Sequence, residues 1–160
     1  HSYSSLYKLK TTGLRFFTVY GPWGRPDMAI FKFTKKILKK EKIDLYNYGN
    51  HARDLSYIDD VINLTVFATK NLKFKKNKTP HRIFNVGSGF PIKLKSLVRI
   101  IEKVLNIKSK KKYLGLQKGD MVSTHSNSRK IFKAMNYRVK PNTYNNVKKF
   151  IDWYLEYYKK

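Results

Sequence analysis

Hydrophobic positions along the chain follow two spacings, one typical of buried strands and one of amphipathic helices. Residues 11–20 are rich in β-branched and aromatic side chains and predict a strand, and residues 14–17 are apolar enough for a strand covered on both faces. Residues 28–41, which Asp27 could cap, and residues 94–105 carry apolar side chains at helical spacing. Strands that alternate with helices indicate the α/β fold class.

Shorter segments with the same two patterns complete the predicted order of elements. The further helices are the last turns of one at 1–10, one through about residue 70 that begins after Asp59 or Asp60, and two at 128–135 and 145–158. The further strands are 43–48, 56–58, 82–86 and 111–116. No repeat or interdomain linker interrupts this order, so we expect a single unit.

The charge balance is strongly basic. The 160 residues contain 35 Lys+Arg against 10 Asp+Glu, for a formal net charge of +25. Such a charge suggests a polyanionic partner, since Lys and Arg displace counterions from phosphates. A compositional bias that places solvated lysines on the surface is the alternative cause. With no cysteine, a disulfide scaffold, a thiolate metal site and a cysteine nucleophile are excluded. Because no apolar run approaches the roughly 18 residues that span a membrane, we expect a soluble, cytoplasmic protein.

Few residues have the types and spacings that catalysis or metal binding requires. The four histidines have no metal-ligand spacing, so we predict no metal site and expect each of them at the surface or in a loop: His1, His51, His81 and His125. Residues 87–89 (GSG) follow a strand and precede a helix, and a tight turn is favoured over a phosphate loop there. For Asp59 and Asp60, helix capping is favoured over a catalytic carboxylate pair.

Two arginines are better candidates for ligand binding. Arg25 lies in a Pro/Gly turn, residues 21–26, which would hold its guanidinium at a fixed angle. Arg53 is followed directly by Asp54. Because arginine binds phosphate and carboxylate groups bidentately, Arg53 could hold an anionic ligand or pair with Asp54, and both interpretations stay open.

These segments, in this order, resemble one enzyme family. Residues 14–29 (LRFFTVYGPWGRPDMA) resemble the segment that follows the catalytic helix in UDP-glucuronate 4-epimerases, members of the extended short-chain dehydrogenase/reductase group. The resemblance continues through residues 45–49, 53–60, 84–87, 116–120 and 150–154. It implies the C-terminal part of an extended Rossmann-type nucleotide-sugar epimerase. Residues 1–24 would be the remnant of the cofactor-binding sheet with the end of the preceding helix, and residues 25–160 mostly a small mixed α/β substrate-binding region.

The resemblance also implies a reaction and a set of binding residues. The family interconverts UDP-glucuronate and UDP-galacturonate at C4 through a 4-keto intermediate, with bound NAD, and serves capsular polysaccharide biosynthesis. By their places in the motifs, the implied substrate contacts are Thr18 and Arg25 with the sugar carboxylate, Leu45 and Tyr46 with the uracil, Arg53 with the diphosphate and Asp120 with the ribose hydroxyls. Phe17 is implied on the nicotinamide side of NAD.

Two motifs of the family fall outside this resemblance. The Gly-rich dinucleotide loop has no counterpart in the chain, and the proton-transferring YxxxK motif would precede His1, so no catalytic residue is assigned. We therefore expect the chain to be inactive alone, with a separately encoded N-terminal half as its possible partner and a truncated form of the family's homodimer interface. The alternatives are a basic nucleic-acid-binding module and a decayed remnant without activity.

Overall fold

The computed structural model describes residues 1–70, 80–137 and 139–158. Its helices are α1 (Ser2–Tyr7), α2 (Ala29–Leu38), α3 (Ile58–Lys70), α4 (Leu94–Leu105), α5 (Arg129–Met135) and α6 (Thr143–Tyr158). Its strands are β1 (Thr11–Phe16), β2 (Thr18–Tyr20), β3 (Lys42–Leu45), β4 (Ala52–Tyr57), β5 (His81–Val86), β6 (Pro91–Lys93) and β7 (Lys110–Tyr113). The mixture of helices with parallel strand pairs confirms the predicted α/β class. Across the described ranges no helix combines the length and apolarity that a bilayer crossing needs.

The predicted strand at 11–20 is two strands with different partners. β1 pairs in parallel with β5, whereas β2 pairs in parallel with β4. The change of partner falls at Phe17, whose backbone N–H still donates to the Val86 carbonyl at 3.1 Å. β4 also pairs antiparallel with β6, and β3 pairs in parallel with β7. One apolar run therefore joins two sheets, and β2 and β4 lie side by side.

Two hydrophobic clusters hold these sheets in place. The larger cluster packs α2, α4 and α6 with β3 and with the ends of β2 and β4, and its fully buried members include Ile37, Ile43, Leu45, Ile101 and Phe150. The smaller cluster joins α3 and α5 to β5 through Leu64, Val86 and Ile131. Burial of a large aliphatic or aromatic side chain stabilises a fold by about 1.5–3 kcal/mol. The strands that carry the candidate site are therefore backed by a packed layer of helices.

The acidic residues near two helix starts do not cap them. α2 begins after Met28 without a side-chain cap, and the Asp27 carboxylate instead accepts a hydrogen bond from Arg25 Nε at 3.0 Å. Asp59 and Asp60 lie inside the first turn of α3, where negative charge interacts favourably with the helix dipole. Both capping predictions are wrong, because α2 begins one residue later than a cap at Asp27 requires, and α3 begins at Ile58, ahead of both aspartates.

A buried carboxylate joins α4 to β7. Glu102 Oε1 accepts hydrogen bonds from the Ser109 backbone N–H at 2.8 Å, the Ser109 hydroxyl at 2.6 Å and Lys111 Nζ at 2.6 Å. Burial raises the pKa of Glu102, but the hydrogen bonds from Lys111 and Ser109 outweigh it and lower the pKa from 4.5 to about 2. Because β7 pairs with β3, which leads into Tyr46, this carboxylate helps to hold Tyr46 in position.

We expect part of the chain's stability to be lost in acid through Glu102. Its pKa is lower in the folded state, so the carboxylate stabilises the fold above its ordinary pKa of 4.5, and the contribution disappears as the pH falls towards about 2. Thermal unfolding from about pH 7 down to about pH 3 should show the Tm gap between the chain and Glu102→Gln shrinking. Glu156→Gln, on the exposed side of α6, is the matched control. A gap that stays constant with pH would contradict the prediction.

Candidate functional site

Two adjoining cavities open beside β2 and β4. The small cavity, about 220 Å³, is lined by Thr18 of β2 and Arg53 of β4. The large cavity, about 710 Å³, is lined by Tyr46, Arg53 and Asp120. Since Arg53 lines both, it lies at their junction. Four of the residues that the resemblance implies thus surround one continuous region, although residues 18 and 120 are far apart in the sequence.

Three other residues implied by the resemblance lie outside both cavities. The Arg25 side chain is 74% exposed and paired with Asp27, and Asp27 itself lines both cavities. Leu45 is fully buried in the larger core cluster, so its side chain is not available to a ligand. Phe17 is half-buried between β1 and β2. The structure therefore brings one residue for each implied substrate contact to the cavities, and it leaves the second carboxylate contact, the second uracil contact and the nicotinamide contact outside them.

Tyr46 reaches the large cavity through a tight turn. β3 ends at Leu45, and residues 46–49 form a 3-10 turn in which Asn47 and Tyr48 have φ of 50° and 53°. The N–H groups of these two residues donate to the carbonyls of Gly115 at 3.2 Å and Leu114 at 2.9 Å. The predicted strand 43–48 is therefore too long, because left-handed backbone cannot continue a strand.

Arg53 and Asp54 do not pair with each other. Successive side chains of a strand point to opposite faces, and here Arg53 faces the cavities while Asp54 is completely buried. Arg53 Nη2 donates to Asp120 Oδ1 at 2.8 Å, and Nη1 donates to the Ala52 carbonyl at 3.1 Å. The ion-pair partner of Arg53 is therefore Asp120, which leaves the guanidinium at the mouth of both cavities.

The buried Asp54 carboxylate occupies the glycine turn at 87–89. The backbone N–H groups of Ser88, Gly89 and Ser126 donate to it at 2.9, 3.0 and 2.8 Å, and the Ser88 hydroxyl donates at 2.8 Å. Burial raises the pKa of Asp54, but the hydrogen bonds from Ser126 and Ser88 outweigh it and hold the pKa below its ordinary value. At Gly87 any side chain would collide with Ser126. The donors of this turn are thus engaged inside the protein, as expected of a tight turn rather than a phosphate loop.

Sequence reasoning missed His51. Its ring is only 5% exposed, and Nε2 lies 3.3 Å from Asp120 Oδ2 at the edge of the large cavity. His51 lies in the loop before β4, as expected, but its ring is buried rather than at the surface. The signal was its spacing: His51 stands two residues before Arg53, and side chains two residues apart in extended chain share a face. Within the described ranges, no three or more His, Asp or Glu residues come together as a possible metal site.

One formal YxxxK spacing does occur, at residues 144–148 of α6. Lys148 Nζ pairs with Asp152 at 2.7 Å, and the Tyr144 ring lies 5.3 Å from Lys103 Nζ. Neither Tyr144 nor Lys148 lines the two cavities. This spacing is therefore a feature of the helix surface rather than part of the candidate site.

Comparison with known proteins identifies the family. Residues 1–87 match the model of the NAD dependent epimerase/dehydratase family. The chain belongs to this family. It is 43% identical over 172 residues to Protein CapI of Staphylococcus aureus, covering 100% of this chain and 52% of CapI. It is 41% identical over 169 residues to UDP-glucuronate 4-epimerase 4 of Arabidopsis thaliana, covering 99% of this chain and 39% of that protein. The chain thus spans about half the length, or less, of these relatives.

Solved structures agree with this assignment. The crystal structure of UDP-glucuronic acid 4-epimerase from Bacillus cereus, in complex with UDP-glucuronic acid and NAD, superposes with a TM-score of 0.87 at 27% identity. The match covers 99% of this chain and 49% of that one. The resemblance to UDP-glucuronate 4-epimerases and the predicted partial Rossmann-type epimerase fold are both confirmed.

The Bacillus cereus epimerase structure contains NAD. The glycine turn at 87–89 is the segment of this chain to compare with the needs of that cofactor. An NAD pyrophosphate needs a turn with free amides at a helix N-terminus. The turn at 87–89 does not fit, because its amides already hold the Asp54 carboxylate. All three amides of this turn are engaged within the protein, so the turn has no free donor for a pyrophosphate.

Proposed function

We propose that this chain is the substrate-binding portion of a nucleotide-sugar epimerase that interconverts UDP-glucuronate and UDP-galacturonate at C4. The proposal rests on the convergence of Tyr46, Arg53 and Asp120 on the large cavity, with Thr18 in the adjoining small one. In this proposal residues 1–24 belong to the cofactor-binding sheet and residues 25–160 mostly to the substrate region. The UDP-glucuronate 4-epimerases among its relatives support this choice of substrate.

The large cavity suits a uridine diphosphate. Its volume of about 710 Å³ lies in the range of small-molecule sites. Tyr46 offers a ring face for the uracil, Asp120 offers carboxylate oxygens for the ribose hydroxyls, and Arg53 offers a fork of N–H donors for the diphosphate. Lys32 and Lys35 of α2 lie exposed on the cavity wall and would draw an anionic nucleotide towards it.

The small cavity would then hold the sugar. Arg53 at the junction would place the diphosphate between the nucleoside and the sugar, which is the order of groups in a UDP-sugar. Thr18 lines this cavity, and a threonine hydroxyl can donate to a carboxylate. Thr18, Arg53 and their neighbours bind and orient the substrate. Oxidation and re-reduction at C4 is the chemistry that NAD supplies when bound.

The chain is proposed to bind without turning over its ligand. General acid–base catalysis requires a group within hydrogen-bond reach of the C4 hydroxyl, and the resemblance places the family's tyrosine ahead of His1. Isothermal titration calorimetry of the 160-residue chain should therefore detect UDP-glucuronate, while a chromatographic assay of the same mixture shows no UDP-galacturonate. Failure of the folded chain to bind UDP-glucuronate, together with tight, steeply salt-dependent binding of duplex DNA, would favour the basic nucleic-acid module instead.

Arg25 should distinguish a uronate from a neutral sugar. Its guanidinium now pairs with Asp27 and holds the pKa of that carboxyl below its ordinary value. Exposed ion pairs contribute little, so Arg25 can exchange Asp27 for a sugar carboxylate at small cost. We expect Arg25→Gln to weaken UDP-glucuronate binding about tenfold and to leave UDP-glucose binding unchanged. Calorimetry with both ligands measures the ratio of their affinities. Arg129→Gln is the matched control. Equal weakening of the binding of both ligands would contradict the prediction.

A further inference from the structure

The least explained polar group at the candidate site is the His51 ring. The ring is only 5% exposed, and Nε2 has no hydrogen-bond partner among the described residues. Buried polar atoms are nearly always hydrogen-bonded, so an exception requires an explanation. The carboxylate that Nε2 faces is Asp120, whose Oδ2 lies 3.3 Å away.

The two oxygens of the Asp120 carboxylate face two different side chains, Arg53 and His51. Its Oδ1 accepts a hydrogen bond from Arg53 Nη2 at 2.8 Å, while Oδ2 faces His51. Asp120 lies between β7 and α5, in a segment outside helices and strands. The direction of its carboxylate therefore depends on these side-chain partners more than on a rigid backbone element.

Substrate would compete for one of these two partners. If Arg53 turns towards the diphosphate of a bound nucleotide, it withdraws from Asp120 Oδ1. A carboxylate oxygen has room for two donors, so Oδ1 can then accept a ribose hydroxyl, provided that Asp120 stays in place. Of the two partners, only His51 then remains, and it is too buried to follow the ligand.

We propose that His51 is a positioning residue that holds the Asp120 carboxylate in place when Arg53 turns to the nucleotide, so that Asp120 selects ribose over 2′-deoxyribose. The proposal rests on the function proposed above and deepens it. The buried ring supplies an anchor on Oδ2, and the opposite oxygen becomes the ribose acceptor. In this proposal Nε2 of His51 donates to Asp120 Oδ2, which lies 3.3 Å from it.

Comparing UDP with 2′-deoxy-UDP tests this role. We expect the unaltered chain to prefer UDP by about tenfold and Asp120→Asn to lose most of that preference. His51→Phe keeps a ring of similar size without its nitrogens and should lose the preference as well. His51→Gln keeps an N–H donor and should retain most of it. His125→Phe, at an exposed histidine, is the matched control and should keep the full ratio.

A ligand-free measurement separates this inference from the proposed function. In ¹⁵N NMR spectra, the ring resonances of His51 should move in Asp120→Asn. They should stay in place in Asp44→Asn, the matched control. Asp44 lines the same cavity but pairs with Lys36 at 2.6 Å. A UDP preference in His51→Phe equal to that of the unaltered chain would overturn the inference and leave the proposed function standing. Failure of the folded, unaltered chain to bind UDP, with the NMR response still present, would overturn the proposed function and the ribose selection that rests on it.

Discussion

Replacing Arg53 by alanine should weaken the binding of UDP-glucuronate by about a hundredfold. The guanidinium lines both cavities and is the arginine at their junction, where the diphosphate of a UDP-sugar would lie. Hydrogen bonds between charged groups in a partly enclosed site are the strongest that a side chain can offer, and a bidentate pair adds a second one. Removing Arg53 would also free Asp120 Oδ1 and leave an uncompensated negative charge beside the phosphates.

Calorimetry on three variants distinguishes loss of the bidentate hydrogen bonds of Arg53 from loss of its positive charge. Arg53→Lys keeps the positive charge without the bidentate fork. Its affinity for UDP-glucuronate should lie between those of the unaltered chain and Arg53→Ala. Arg129→Ala, at an exposed position at the start of α5, should bind as the unaltered chain does. Thermal unfolding confirms that each variant is folded. Unchanged affinity in a folded Arg53→Ala would remove Arg53 from the binding site.

Replacing Asp54 by alanine should lower the free energy of unfolding by about 3 kcal/mol or more. Three backbone N–H groups and the Ser88 hydroxyl all donate to this completely buried carboxylate. Without the acceptor, these buried donors keep their desolvation cost and lose their hydrogen bonds. The network joins β4 to the turn after β5 and to the segment before α5, so its loss loosens the strand that carries Arg53.

Urea unfolding with matched aspartates measures this effect. Asp152→Ala removes a carboxylate from an exposed pair with Lys148 on α6 and should cost less than about 0.5 kcal/mol. Asp54→Asn keeps one carbonyl oxygen, so its free energy of unfolding should lie between those of the unaltered chain and Asp54→Ala. Similar unfolding midpoints for Asp54→Ala and Asp152→Ala would show that the buried network does not stabilise the fold.

The sequence predicted helices better than strands. The strongly periodic residues 94–105 form a helix with those bounds, because an amphipathic stripe is a local property that one segment carries by itself. Residues 11–20 have the composition of one strand, yet they form two with different partners. β6, only three residues long and beginning with Pro91, has no pattern that could have predicted it.

In the candidate site too, some features are encoded locally in the sequence and others depend on distant segments. The motifs marked Thr18, Tyr46, Arg53 and Asp120 one at a time, through their resemblance to a family. The pairing of Arg53 was undecidable from its neighbour Asp54, because adjacent residues of a strand face opposite ways and the true partner is 67 positions distant. His51 belongs to no motif. Its spacing from Arg53 indicates a shared face, but its burial depends on contacts with distant parts of the chain.

By itself, then, the sequence determined the α/β class, the family and the chemical types of the candidate site residues, since these depend on local periodicity and on motifs. Only the tertiary structure decided which strand pairs with which, that the GSG turn holds Asp54 rather than a phosphate, and that Arg53, Asp120 and His51 meet at one cavity. The reason is physical: burial, strand pairing and hydrogen bonding across long sequence distances are settled by the packing of the whole chain.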